Sequence, residues 1–86
     1  MTTQNIEITN HIWENLATVG SIVFEENQSY SITVRGVGSC EVAIATSKPD
    51  EAFLGHIVKA DENFNFTYKG EDVWIKCGNS AIVVIS

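Results

Sequence analysis

The chain has 86 residues, 44% of them hydrophobic and 19% charged, and a formal net charge of −6. That is a single domain below the usual mode of roughly 100–150 residues, small enough that association would stabilise its modest core. Five basic residues, Arg35, Lys48, Lys59, Lys69 and Lys76, are scattered singly against eleven acidic ones. This excludes the clustered basic footprint of a nucleic-acid binder and disfavours an anionic membrane surface.

Residues 1–5 (Met1-Thr2-Thr3-Gln4-Asn5) show neither the positive nor the apolar part of a secretory signal. No apolar run reaches the roughly 18 residues of a membrane-spanning helix. The expectation is a chain kept in the cytosol or released by a route other than secretion, such as lysis.

In chain order, Ile6-Glu7-Ile8-Thr9 alternates and suits a strand at a sheet edge. Across residues 10–19, Ile12, Trp13, Leu16 and Val19 have the spacing of a short helix that Asn10 would cap; an irregular loop anchored by Trp13 fits as well. The reading adopted is a loop with at most one helical turn. Residues 21–24 and 29–35 then flank Glu25-Glu26-Asn27-Gln28 as a hairpin, with Tyr30, Ile32 and Val34 inward and Ser29, Ser31, Thr33 and Arg35 in water. Gly36-Val37-Gly38 turns into a strand over 39–46, where Cys40, Val42, Ile44 and Thr46 alternate with Ser39, Glu41, Ala43 and Ala45. Residues 47–51 form a loop around the only proline, 52–59 a short strand, and 60–62 a turn.

The last third holds three runs: 63–68, with Phe64, Phe66 and Tyr68 on one face; 73–77; and 81–85, which is apolar on both faces and rich in β-branched residues. Residues 69–72 and 78–80 have turn composition. A doubly apolar strand belongs deep in a sheet or against a partner chain. The spacing predicts an all-β fold: a seven- to eight-stranded antiparallel β-sandwich or jelly-roll-like barrel. It forms one small domain, 1–86, with an N-terminal arm or loop region over 1–20 and core strands over 21–86.

Chemical motifs are scarce. His11 and His56 fall in different kinds of segment without a third ligand of matching spacing, so no metal or cofactor is expected. The acidic pairs Glu25-Glu26, Asp50-Glu51, Asp61-Glu62 and Glu71-Asp72 sit in predicted turns and are read as solvated. No nucleophile elbow or phosphate loop occurs, and no catalytic residue is assigned. Cys40 and Cys77 share the inward phase; buried free thiols are the favoured reading, with a disulfide as the alternative.

Trp74 is out of phase with Val73, Ile75 and Cys77, which puts it on an outer face with Lys76. An outward tryptophan calls for a cover: a sugar ring, a neighbouring subunit, or the chain's own N-terminal segment. Trp74, Trp13 and, on the last strand, Ala81, Val83 and Ile85 are the candidate oligomer-interface or ligand-contact residues.

Trp13 followed by Asn15-Leu16-Ala17, the Val19-Gly20 step, Ser47-Lys48-Pro49, Gly55-His56, Val73-Trp74-Ile75-Lys76 and a β-rich C-terminus form a pattern. It resembles small all-β bacteriophage virion proteins, the head or tail decoration and fibre-associated subunits. The resemblance implies a non-enzymatic structural protein, made in a host cytoplasm and carried in a virion. It also implies a homo-oligomer, with a trimer favoured, joined to other virion proteins. The alternative is a small carbohydrate-binding β-sandwich module.

Overall fold

The computed structural model describes residues 4–9, 11–36, 38–78 and 81–86. Eight strands and one helical turn follow one another: β1 (Gln4–Ile8), β2 (Glu14–Asn15), α1 (Leu16–Gly20), β3 (Ser29–Arg35), β4 (Ser39–Ala45), β5 (His56–Lys59), β6 (Asn63–Thr67), β7 (Asp72–Cys77) and β8 (Ala81–Ile85). They form two four-stranded sheets, A in the order β1-β8-β3-β6 and B in the order β2-β7-β4-β5. Every ladder is antiparallel, and β4 pairs with β5, β3 with β6, β2 with β7 and β1 with β8. Partner numbers in these four ladders add to nine, and the ladders β3–β8 and β4–β7 join them within each sheet, which is what results when one long hairpin is rolled into two facing sheets. This is the jelly-roll form of the β-sandwich.

The period-two pattern decides which side chains meet between the sheets. Tyr30, Ile32 and Val34 of β3, Val73, Ile75 and Cys77 of β7, and Ala81, Val83 and Ile85 of β8 are all buried, together with Ile6 and Ile8 of β1. Register locks them in layers: Val83 lies between Ile6 and Val34, and Ile85 beside Ile32. One end of the sandwich is closed by aromatic rings, with Phe24 edge-on to Tyr30 at 4.9 Å and stacked on Tyr68 at 5.4 Å.

Several expectations need correction. Residues 21–24 are not a strand, because their backbone donors go elsewhere. Ser21 N–H and Ile22 N–H donate to the Thr18 and Ala17 carbonyls as the C-cap of α1, and Glu25 N–H donates to the Tyr30 hydroxyl. The strand expected over 52–59 begins only at His56. The helical turn is capped by Asn15, whose Oδ1 accepts from Ala17 N–H at 3.0 Å; Asn10 and Val37 lie outside the described residues. The segment expected as an arm supplies the edge strand of each sheet, β1 and β2. Gly36 and Gly38, which flank the β3–β4 turn, both adopt positive φ (109° and 102°), a conformation that glycine takes at little cost.

The cysteines are not free. Cys40 and Cys77 are direct cross-strand partners in sheet B and form a disulfide, with Cα atoms 4.0 Å apart. Gly78 N–H donates to the Ser39 carbonyl one step along the ladder, so the cysteines occupy a non-hydrogen-bonded pair, where opposed side chains come closest. Both are buried in the core, and the bridge closes a separation of 37 residues. Loop-closure entropy for a ring of that size predicts that replacing both cysteines by alanine lowers unfolding free energy by about 2–4 kcal/mol. Urea titrations of the oxidised protein, the reduced protein and the double variant should show this loss, the last two agreeing closely.

Candidate functional site

The outer face of sheet B carries Trp74, as its phase in the sequence indicates, and also Trp13, which the sequence offered as the anchor of a loop. Register sets Asn15 of β2 against Trp74 and Glu14 against Ile75, which brings Trp13 level with Lys76. The Lys76 ammonium sits 5.0 Å from the Trp13 ring centroid, a cation–π distance. Trp13 is only 1% exposed although it lies outside the sandwich. Its cover is the β4–β5 connection, residues 46–55, folded back over the sheet.

That connection is fastened along its length. Trp13 Nε1–H donates to the Asp50 carbonyl at 3.1 Å, and the Lys76 ammonium to the Glu51 carbonyl at 2.9 Å. Gly55 N–H donates to the Glu41 carboxylate at 2.9 Å, and Phe53 N–H closes a turn on the Asp50 carbonyl. Trp74, half-buried, donates its Nε1–H to the Ala45 carbonyl at the end of β4. A bare Cβ at Gly55 would lie 2.7 Å from Trp13 Cη2 and 2.8 Å from the Val42 carbonyl oxygen, so only glycine lets the loop approach this closely.

So fastened, the loop sets the Phe53 ring against Trp13, centroids 6.2 Å apart, and leaves much of its apolar surface in solvent. Phe53 is 50% exposed and Leu54 82%, beside Ile44 of β4 at 42%. Together with Val42, Ala43 and Pro49 they line a groove of about 330 Å³ that opens to solvent. Five hydrogen bonds hold the connection and its approach in place, so the exposure of the rim belongs to a built surface. Pre-organised apolar side chains of this kind favour association, since little ordering entropy is left to lose.

The expected contact residues fare differently. Trp13 is an internal anchor and is closed to any partner. Ala81, Val83 and Ile85 face the opposite sheet and are buried within one copy, which corrects their assignment to a subunit interface; the outward residues of β8 are Ile82 and Val84. Trp74 stays on the outer face, part-covered by the chain itself. Phe53, Leu54 and Ile44 were missed; the adjacent apolar pair Phe53-Leu54 before a glycine, which breaks strand alternation, is the signal that pointed to them.

Several other polar groups have partners within the fold. His11 Nδ1 lies 2.9 Å from the Cys77 carbonyl, and the His56 ring packs on Phe64 at 4.9 Å. Asp61 pairs with Arg35, and Glu62 accepts from Lys59 N–H. Among the described residues no three His, Cys, Asp or Glu side chains converge as a metal site, and no helix is long and apolar enough to cross a membrane. Comparison of the chain with family models, curated protein sequences and solved structures returns no match.

The Trp13 lock has a measurable weight. Trp13→Ala should cost about 3–5 kcal/mol, as for other buried tryptophans, and Gly55→Ala about 1–3 kcal/mol through overpacking. Chemical denaturation of both variants checks this, and limited proteolysis should cut 46–55 faster in each than in the wild type.

Proposed function

We propose that the protein is a non-enzymatic structural subunit of a bacteriophage virion, a decoration or tail- or fibre-associated protein. It assembles through its β-sheets with copies of itself, a trimer being the favoured ring, and with other virion proteins. The observation that carries this reading is the fastened apolar rim of Ile44, Phe53 and Leu54. Full burial of each such side chain is worth ~1.5–3 kcal/mol, so the rim holds several kcal/mol that only a covering surface releases.

Two further features support it. The jelly roll is an architecture that serves viral capsids and lectins alike, so the fold is compatible with the virion reading without deciding it. The chemistry-bearing side chains are bound up in structure: each histidine is engaged with backbone or ring, and both cysteines are in the disulfide.

Light scattering coupled to size-exclusion chromatography, run over a dilution series, tests the proposal. The expected result is a discrete oligomer, and the Phe53→Ser/Leu54→Ser double variant should lower its mass. Leu54→Ser alone, at an 82% exposed position, should do so in part while leaving the unfolding free energy within about 0.5 kcal/mol of wild type, as for surface changes, whereas Phe53 also packs on Trp13. A wild-type monomer at every concentration that binds a glycan on an array, with loss of binding in Phe53→Ser, would replace this reading by the carbohydrate-binding one.

A further inference from the structure

The outer face of sheet A presents the alternate residues of β1, β8, β3 and β6. Its side chains form rows across the strands: Glu7–Ile82–Arg35, then Asn5–Val84–Thr33–Asn63, then Ser31 beside Asn65. The polar side chains on β3 and β6 bond sideways to each other, Thr33 to Asn63 and Ser29 to Thr67. Down the middle runs β8 with Ile82, 46% exposed, and half-buried Val84. A depression of about 260 Å³ opens beside Ile82, between Glu7 and Arg35.

We infer that this face is a two-fold interface between two copies of the chain, with the symmetry axis running along β8 above Ile82. The inference rests on the self-assembly reading above and gives it a surface. The reason is the order of charges in the first row. An acid on one side of a central apolar residue and a base on the other is self-complementary under a two-fold axis parallel to the strands. Rotation about that axis lays Glu7 of one copy over Arg35 of the second and the reverse, while Ile82 meets Ile82 and Val84 meets Val84. The depression gives the opposing isoleucine room.

A shift of one strand instead sets Ile82 against a charge. Arg35 already contacts Asp61 through Nε at 3.2 Å, with the two side chains 63% and 77% exposed. Its remaining guanidinium donors can take a second carboxylate in the same plane. The footprint is small. With the axis on β8 only β1, β8 and β3 overlap, three strands ~4.8 Å apart and five to seven residues long, roughly 15 × 20 Å on each copy, which is the size of a weak, transient contact. The contact is therefore concentration-dependent and sensitive to salt.

A two-fold contact makes the assembly even-numbered. If the Phe53–Leu54 rim joins three copies in a ring, adding this interface gives a six-membered particle of dihedral symmetry; if the rim takes a different virion protein, it gives a dimer. Either way, a variant that abolishes the sheet A contact halves the mass.

The test is sedimentation equilibrium on wild type, Ile82→Asp, Glu7→Arg, Arg35→Glu and the double reversal Glu7→Arg/Arg35→Glu, at low and at 0.5 M salt. The expected results are half the wild-type mass for Ile82→Asp and an association constant at least about tenfold weaker for each single reversal. The double reversal should recover to near wild type, since it restores both pairs with their signs exchanged. A mass unchanged by Ile82→Asp, or a double reversal no better than the singles, overturns the inference and leaves the face to another occupant. If that happens while Phe53→Ser/Leu54→Ser still lowers the mass, the self-assembly reading stands and only this interface falls. A wild-type monomer throughout removes both. Should Ile82→Asp fail to fold, the charge reversals decide alone, because Glu7 and Arg35 are exposed side chains outside the core.

Discussion

Trp13 is buried on the side of sheet B that a two-layer sandwich would leave to water, and much of the surface follows from that placement. Its indole needs both an apolar cover and an acceptor for Nε1–H, and residues 46–55 supply the two together. In doing so they put Asp50 and Glu51 carbonyls where Trp13 and Lys76 can use them. Phe53 gives one side of its ring to Trp13 and the other to solvent, and Leu54 points outward. A third, partial layer outside sheet B thus converts an internal packing requirement into an exposed apolar rim.

The two outer faces are consequently different in kind. Sheet B is partly covered by its own chain, and its free apolar surface lies on the loop, at Phe53 and Leu54, and on β5, at Ile57. The outer face of sheet A is, among the described residues, mostly polar, with a narrow aliphatic stripe along β8. A net charge of −6 keeps copies apart at long range, so any contact between them depends on local complementarity at short range. Arg35 matters for that reason: it is the basic residue on the sheet A face, set across Ile82 from Glu7.

Much of the fold could be read from the sequence because alternation reports directly on which side chains share a face. β3, β7 and β8 are legible on that ground alone. Where the reading failed, at 21–24 and 52–55, apolar residues are present but the backbone donors are committed to a helix cap, a tyrosine hydroxyl, a turn and the Glu41 carboxylate. Those partners lie beyond the reach of a local pattern. The cysteine phases were correct and their pairing was not, because phase says nothing about the register of strands 37 residues apart. On β8 both parities are apolar, so the sequence could not tell Ala81, Val83 and Ile85 from Ile82 and Val84; the ladder with β3, which sets Val83 against Val34, makes that choice. Of the candidate site, the strand and the outward phase of Trp74 were visible, while the rim depends on a loop anchored to a tryptophan far away in the chain.

The add-to-nine pairing also bears on how the chain reaches this state. Measured from the random coil, the β1–β8 ladder, with Gln4 against Ile85, closes nearly the whole polypeptide on itself, and such long-range contacts slow folding. The pairs are nested, however. Once β4 and β5 have met across their connecting loop, β3 and β6 are separated by little unformed chain, and then β2 and β7, and finally β1 and β8. Each step after the first closes only a short additional loop, which costs little entropy. Folding from the centre outward is therefore the inexpensive route for this topology, with the chain ends docking last and opening first.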